Sequence, residues 1–281
     1  MTQDFSNLCA TLQTLPRILA IGGSDSSGGA GIQADIKTGL ALGVEVSTAI
    51  TAITAQNSRG VQKVAPVPVD LLAAQIESVC TDLPPAVVKL GMLWNAARIR
   101  LISQTIRRYS LPMVVCDPVL ASTSGRTLLD ESGRRALLKL LPQVTLLTPN
   151  APEAALLSGR RTQTKDDFWD AGRMLLDCGA LAVLLKGGHL GGSESADALF
   201  LQNQASPLWF SAPRIETRND HGTGCVLASA IAAHLAQGLP LVEAVGSARN
   251  FVQQALLRSV ALQNGEGRGG MILHARGCEA S

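Results

Sequence analysis

The segment at residues 18–35, ILAIGGSDSSGGAGIQAD, constrains the fold of this chain more than any other stretch. Its apolar opening at 18–21 has the composition of a buried strand. The run stops at Gly22 and Gly23, passes a polar turn at 24–27 and meets Gly28, Gly29 and Gly31. Helix-type apolar spacing follows through Ile32, Ile36 and Leu40. Strand, glycine-rich turn and helix form the unit from which parallel α/β sheets are built, and its turn is where such proteins place small-molecule sites. A tight connection alone needs one or two glycines. Five among residues 22–31 let main-chain amides approach a ligand with no Cβ in the way.

The rest of the chain repeats the alternation. Apolar runs at 44–53, 86–90, 113–116, 144–147, 181–185 and 198–201 read as strands. Helical patterns occupy 71–79, 97–108, 131–140, 166–177, 225–236 and 241–262. This order predicts an α/β fold with one mostly parallel central sheet and helices on both faces. No linker or repeat divides it, so one domain at 17–275 is expected, preceded by an extension at 1–16. Aromatic residues make up only 3% of the chain, so Ala, Leu, Val and Ile must fill the core.

A net charge of +2 without a basic cluster leaves no electrostatic footprint for nucleic acid. No apolar stretch is long enough to span a bilayer. The start, MTQDFSNLCA, lacks the basic and apolar regions of a signal peptide, so a cytoplasmic location is expected. The six cysteines are scattered without a C-x-x-C pair, the pattern of reduced thiols rather than a zinc site. The glycine-rich tail at 265–270 reads as either a loop bordering a site or a disordered end.

The chemistry clusters at predicted strand ends. NDHGTGC at 219–225 precedes VLASAIAAHLA, a helix apolar on every side and therefore buried. The amides of Gly222, Thr223, Gly224 and Cys225 at its start form a site for an anion, although Thr223 could instead cap the helix. Cys225 stands where a helix N-terminus lowers a thiol below its usual 8.5, or it is simply packed there. Asp117 follows the run MVVC, and Asn150 and Glu153 follow VTLL in the same way. Glu153 could help hold a cation, or merely favour the dipole of a helix's first turn. Lys186 leaves an apolar strand for Gly187 and Gly188, which favours aim at an anion. His189 and His221 read as structural. No P-loop motif is present, and no G-x-G-x-x-G stands at the end of the first strand.

This wording, with its G-T-G-C loop and N-x-x-E spacing, resembles the hydroxymethylpyrimidine and phosphomethylpyrimidine kinases of the ribokinase-like superfamily, from about Ile18 to His274. The resemblance implies a ribokinase-like fold, homodimers and use of ATP and Mg²⁺. The implied reaction phosphorylates a small-molecule pyrimidine, 4-amino-5-hydroxymethyl-2-methylpyrimidine, and then its monophosphate for thiamine biosynthesis. It implies Cys225 as the base, where related sugar and pyridoxal kinases carry aspartate, with Gly222 and Gly224 cradling the transferred group. Lys186, Asn150 and Thr223 would meet the nucleotide, and Asp117 and Glu153 the metal. Gln56 would hydrogen-bond the pyrimidine edge, with Gly23, Asp35, Met92 and Val119 around it. Two stretches depart from the family: residues 120–125 lack the usual lysine, and the C-terminal GRGGMILH replaces a glycine–proline ending. A pyridoxine or pyridoxal kinase, and a non-catalytic pyrimidine-binding sensor, are the competing readings.

Overall fold

In a computed structural model, which describes residues 15–122, 125–188 and 193–273, strand β1 (Arg17–Asp25) runs through the glycine turn into helix α1 (Gly31–Leu42). Strand β2 (Glu45–Asn57) returns parallel to β1, and β3 (Gly60–Pro66) folds back on it as an antiparallel edge. Helix α2 (Val69–Asp82) then carries the chain to β4 (Val87–Leu90), on the other side of β1. From there α3 (Ala96–Arg108), β5 (Val114–Cys116), α4 (Glu131–Leu140), β6 (Leu146–Leu147), α5 (Ala151–Ser158), α6 (Lys165–Asp177) and β7 (Ala182–Leu185) extend the parallel sheet. The antiparallel strands β8 (Glu194–Leu201) and β9 (Leu208–Pro213) finish it, followed by α7 (Thr223–Ala236) and α8 (Leu241–Ser259).

The strand order is β3-β2-β1-β4-β5-β6-β7-β8-β9. Successive strand residues serve opposite faces, as the pleat requires. Leu19, Val88, Val114 and Val183 pack under α2 to α6, whereas Ile18, Val87, Val115 and Leu184 pack under α1, α7 and α8. The chain leaves β1 in one direction and resumes at β4 in the other. The order therefore reverses between them, and a crevice opens beyond their C-terminal ends, where open α/β sheets bind ligands.

Each expected strand and helix is present, with shifted ends: β2 runs on to Asn57, and α8 stops at Ser259. Three elements lacked a sequence signal. β3 is an exposed edge strand with no apolar run, β9 is half-buried at alternate positions, and α5 spans only two turns. Of the apolar residues spaced along α1, Ile36 and Leu40 are exposed. The helix buries Ile32, Ala34, Asp35, Thr38 and Ala41 instead, because small residues let it lie close to the sheet and α7. The tail at 265–270 is a bordering loop, held by Arg268 and Gly269 amides on the Ser58 and Arg218 carbonyls. His189, Cys9, Cys278, most of the expected extension at 1–16 and the C-terminal end of the expected domain at 274–275 lie outside the described residues. Among the described residues no helix is long and apolar enough to cross a membrane.

Candidate active site

A cleft of about 210 Å³, open to solvent, occupies the crevice where the strand order reverses. Its floor is built from the ends of β1 and β4, with Gly22, Gly23, Gly91 and Met92, and one wall is the start of α7. Every residue that the resemblance assigns to the site lines it: Gly23, Asp35, Gln56, Met92, Asp117, Val119, Asn150, Glu153, Lys186, Gly222, Thr223, Gly224 and Cys225. Residues spread over two hundred positions converge because nearly all sit at or just past the C-terminal end of a strand or in the first turns of a helix.

The start of α7 is shaped by backbone rather than by a cap. Gly222 occupies the N-cap position at φ +82°, and a Cβ there would overlap the Gly29 carbonyl. No side chain caps the helix. Thr223 does not act as one, since its hydroxyl donates to Asp220 O at 2.6 Å. Its amide is also committed, to the same carbonyl at 3.2 Å, which removes Thr223 from the expected set of free amides. The anion site therefore rests on the amides of Gly222, Gly224 and Cys225, which at the helix start have no partner inside the helix.

Asp117 and Lys186 face each other beside that helix end, Nζ to Oδ1 at 2.8 Å, and Thr148 donates to the same oxygen at 3.2 Å. A Cβ on Gly224 would stand 3.1 Å from the Lys186 Nζ and 3.4 Å from Asp117, so the pair lies directly against the helix N-terminus. Burial opposes the Lys186 charge, but Asp117 and Glu153 outweigh it and hold the ammonium above its usual range. The turn after Lys186 is fixed from behind, where the Gly187 amide donates to Asp197 at 2.8 Å and Asp197 in turn accepts from Arg249.

Glu153 lies in the first turn of α5, as the helix-dipole alternative supposed. It completes a capping box with Asn150: each backbone N–H donates to the other's side chain at 2.9 Å. Its carboxyl also borders the cleft. Burial raises its pKa to about 7, Lys186 opposes that rise and Asp117 adds to it. Two carboxylates at neighbouring strand ends, one of them destabilised as an anion, suit a divalent cation. Among the described residues no cluster of three or more His, Cys, Asp or Glu could cage one, so the donor set fits an ion that keeps most of its water.

Cys225 departs from expectation. A helix N-terminus should lower its thiol, but burial pushes it up to about 11. Lys89 pulls the other way, Asp117 and Asp35 push it further up, and the Gly31 amide pulls it down. The thiol is thus protonated at neutral pH until the charges around it change.

Lys89 gave no signal as a site residue in the sequence, although a lysine inside the apolar run AVVKL is itself the clue. It is fully buried on β4 and pairs with Asp35 of α1 at 2.8 Å, while Ser229 of α7 donates to the same Asp35 oxygen at 2.6 Å. Asp35 Oδ2 is buried with no partner. Burial raises the Asp35 pKa against the pull of Lys89. From the sequence alone Asp35 reads equally as a solvated acid on the first helix or as one facing the substrate hydroxymethyl group, and its full burial rules out the first. In the structure it lines the cleft from beneath, with one oxygen committed to Lys89 and Ser229.

His221, read as structural from the sequence, stands in the cleft wall, and its Nε2 lies 3.0 Å from both Asp25 Oδ2 and Gln56 Nε2.

The family model for phosphomethylpyrimidine kinase matches residues 25–270. A hydroxymethylpyrimidine/phosphomethylpyrimidine kinase of Rhizobium meliloti is 47% identical over 253 residues, covering 89% of this chain and 94% of its own. A solved phosphomethylpyrimidine kinase from Clostridium difficile superposes with a TM-score of 0.76 at 38% identity, covering 86% of this chain and 99% of that one. The pyridoxal kinase of Staphylococcus aureus, solved in complex with AMP-PCP and pyridoxal, gives 0.85 at 31% identity over 95% of this chain and 96% of its own.

Proposed function

The chain belongs to the phosphomethylpyrimidine kinase family, and on that premise we propose that it phosphorylates the hydroxymethyl group of 4-amino-5-hydroxymethyl-2-methylpyrimidine and then the resulting monophosphate. It is a phosphotransferase of thiamine biosynthesis that uses ATP. The observation that carries the reading is the convergence of an uncapped helix start, the Asp117–Lys186 pair and Gln56 on one cleft.

The chain's residues divide the work. Gln56, Met92, Gly23 and Val119 form the acceptor end, where an amide meets the polar edge of the ring and a thioether its face. Cys225, in its thiolate form, would take the hydroxyl proton as oxygen bonds to the γ-phosphorus and the bond to the β-phosphate oxygen breaks. The Gly222, Gly224 and Cys225 amides meet the charge on the transferring group, and Lys186 neutralises the polyphosphate. Asn150 and Thr223 border the nucleotide. Asp117 and Glu153 would hold Mg²⁺ through its waters, and the ion supplies charge neutralisation to the phosphates. Phosphoryl transfer asks mainly for positioning and charge stabilisation, so these parts suffice.

The likeness to a pyridoxal kinase supports a second reading. A coupled ATPase assay with the pyrimidine alcohol, its monophosphate and pyridoxal in one preparation separates the two. Turnover of both pyrimidines well above pyridoxal is expected; the reverse order assigns the chain to pyridoxal.

Gln56→Leu keeps the size of the side chain and removes its hydrogen bonds. Its kcat/KM for the pyrimidine alcohol should fall by the equivalent of about 2–3 kcal/mol. An unchanged value would take Gln56 out of the site.

Glu153→Gln tests the metal assignment by sign. Glutamine retains the capping box. The folded-state pKa of Glu153 is raised, so its ionisation costs stability as pH climbs from about 4.5 through about 7. The variant should therefore melt above the parent at pH 8 without magnesium, by up to about 3 kcal/mol, and equal it at pH 4. The magnesium concentration for half activity should rise. A variant less stable at pH 8 with an unaltered magnesium requirement would reduce Glu153 to a helix cap.

A further inference from the structure

Gln56 is held twice. The Ser26 hydroxyl accepts from its backbone N–H and donates to its carbonyl, both at 2.8 Å, which pins the main chain at the cleft mouth. Its carboxamide lies between His221 Nε2 at 3.0 Å and Thr54 Oγ1 at 3.3 Å. Both neighbours have already committed their hydrogens. Asp25 accepts from Ser27 N, Ser27 Oγ and Ala30 N at 2.7–2.9 Å, and it is held at about 2, so it is an anion at any working pH. An anion 3.0 Å from His221 Nε2 requires a proton on that nitrogen. The Thr54 hydroxyl donates to Ser24 O at 2.9 Å, which leaves lone pairs toward the amide.

These commitments decide which end of the amide goes where. A carboxamide turned by half a revolution fills the same volume with oxygen and nitrogen exchanged. With nitrogen toward His221, donor would meet donor. With oxygen toward His221, the one Nε2–H is shared between the Asp25 and Gln56 oxygens; with nitrogen toward Thr54, one N–H meets the hydroxyl lone pair and the other remains for the cleft. We infer that the Asp25–His221 pair is a specificity device: it fixes the polarity of Gln56 so that an N–H faces the acceptor pocket, which then selects a heteroaromatic ring presenting an unprotonated nitrogen.

The device is locked into the fold. A Cβ on Gly29 would stand 2.6 Å from the His221 ring, so only glycine lets the imidazole reach Asp25. On its other side the His221 backbone N–H donates to Gly269 O at 3.0 Å, and Arg268 clamps neighbouring Asp220 at 2.7 Å. His221 is a positioning residue, acting on the substrate through Gln56. The glycine-rich tail sets the loop that carries it.

The inference rests on the assignment of Gln56 to the pyrimidine, and the test separates the two. Steady-state constants are measured for the pyrimidine alcohol and its two deaza analogues, each with one ring nitrogen replaced by C–H. The proteins compared are the parent, His221→Phe, His221→Gln, Gln56→Leu and the double variant His221→Phe/Gln56→Leu. The parent should prefer the alcohol to one analogue by at least about tenfold in KM. His221→Phe should erase most of that preference with kcat little changed. His221→Gln should restore it, because its Nε2 can donate to Asp25 and to the Gln56 oxygen. The double variant should match Gln56→Leu alone.

A preference intact in His221→Phe but lost in Gln56→Leu overturns the device and leaves Gln56 in place. A preference intact in Gln56→Leu overturns the assignment of Gln56 itself. A fall common to all three ligands and undiminished in the Gln56→Leu background makes His221 purely structural. Should His221→Phe not fold, Asp25→Asn, which removes the anion that fixes the Nε2 proton, is read on the same terms.

Discussion

Replacing Cys225 by serine should give a folded protein that binds nucleotide and turns over roughly 10²–10⁴-fold more slowly, the effect of a lost general base. The side chains differ little in volume, and the half-buried position borders a polar cleft, so packing should survive. Nucleotide affinity should persist, because the anion site is made of the Gly222, Gly224 and Cys225 main-chain amides. A serine hydroxyl cannot ionise in any accessible pH range. The thiol can, but burial has pushed it up to about 11, so the parent's kcat/KM should climb with pH through the alkaline range. Asp117 and Asp35 contribute to that rise, and a cation that neutralises Asp117 removes one of the two. The limb in kcat, which reports the loaded enzyme, should accordingly lie at lower pH than the limb in kcat/KM. Cys225→Asp should recover part of the turnover with its acidic limb displaced far downward, since a carboxylate titrates near 4. Near-full activity in Cys225→Ser with an unaltered profile would make Cys225 a packing residue.

The parts of the site that sequence exposes are those encoded within a few residues. G-T-G-C before an apolar helix, Asp117 after MVVC, and N-x-x-E after VTLL each carry their own local signal: a strand end, then a polar or glycine turn. The alternation of apolar runs fixes the sheet for the same reason. What stays hidden is pairing between distant segments. Lys89 meets Asp35 54 positions away, Ser229 meets Asp35 at 194, and His221 meets Asp25 at 196. No periodicity links such residues, so Asp25 looked like a turn residue and His221 like a structural one. The sign of the Cys225 shift was hidden too. Position at a helix start is legible, whereas desolvation and two nearby carboxylates are tertiary facts. The exposed Ile36 and Leu40 of α1 show the same limit, because which stripe of a helix is buried depends on what lies beside it.

Lys89→Met should be the most damaging single change to stability. Lys89 and Asp35 are both fully buried, and their 2.8 Å contact is what makes either charge tolerable there. Removing one partner leaves the other charge in a low-dielectric interior, a loss of about 3–5 kcal/mol. Asp35 is especially exposed to this, because one of its oxygens already lacks a partner. The damage should be repaired by discharging the survivor: Lys89→Met/Asp35→Asn should regain most of the loss, with Ser229 still donating to the remaining carbonyl oxygen. Chemical denaturation of the two single variants and the double variant measures the coupling directly. Additive losses would mean that the pair contributes nothing beyond the packing of its separate chains. The same lysine is the cation that draws the Cys225 thiol down. In the rescued double variant, the loss of Asp35's opposing charge should offset part of the loss of Lys89. Lys89 is the larger of the two influences, so the alkaline limb of kcat/KM should still move upward. A double variant with restored stability and an unmoved limb would confine Lys89 to the fold. A displaced limb would join the buried pair to the chemistry above it.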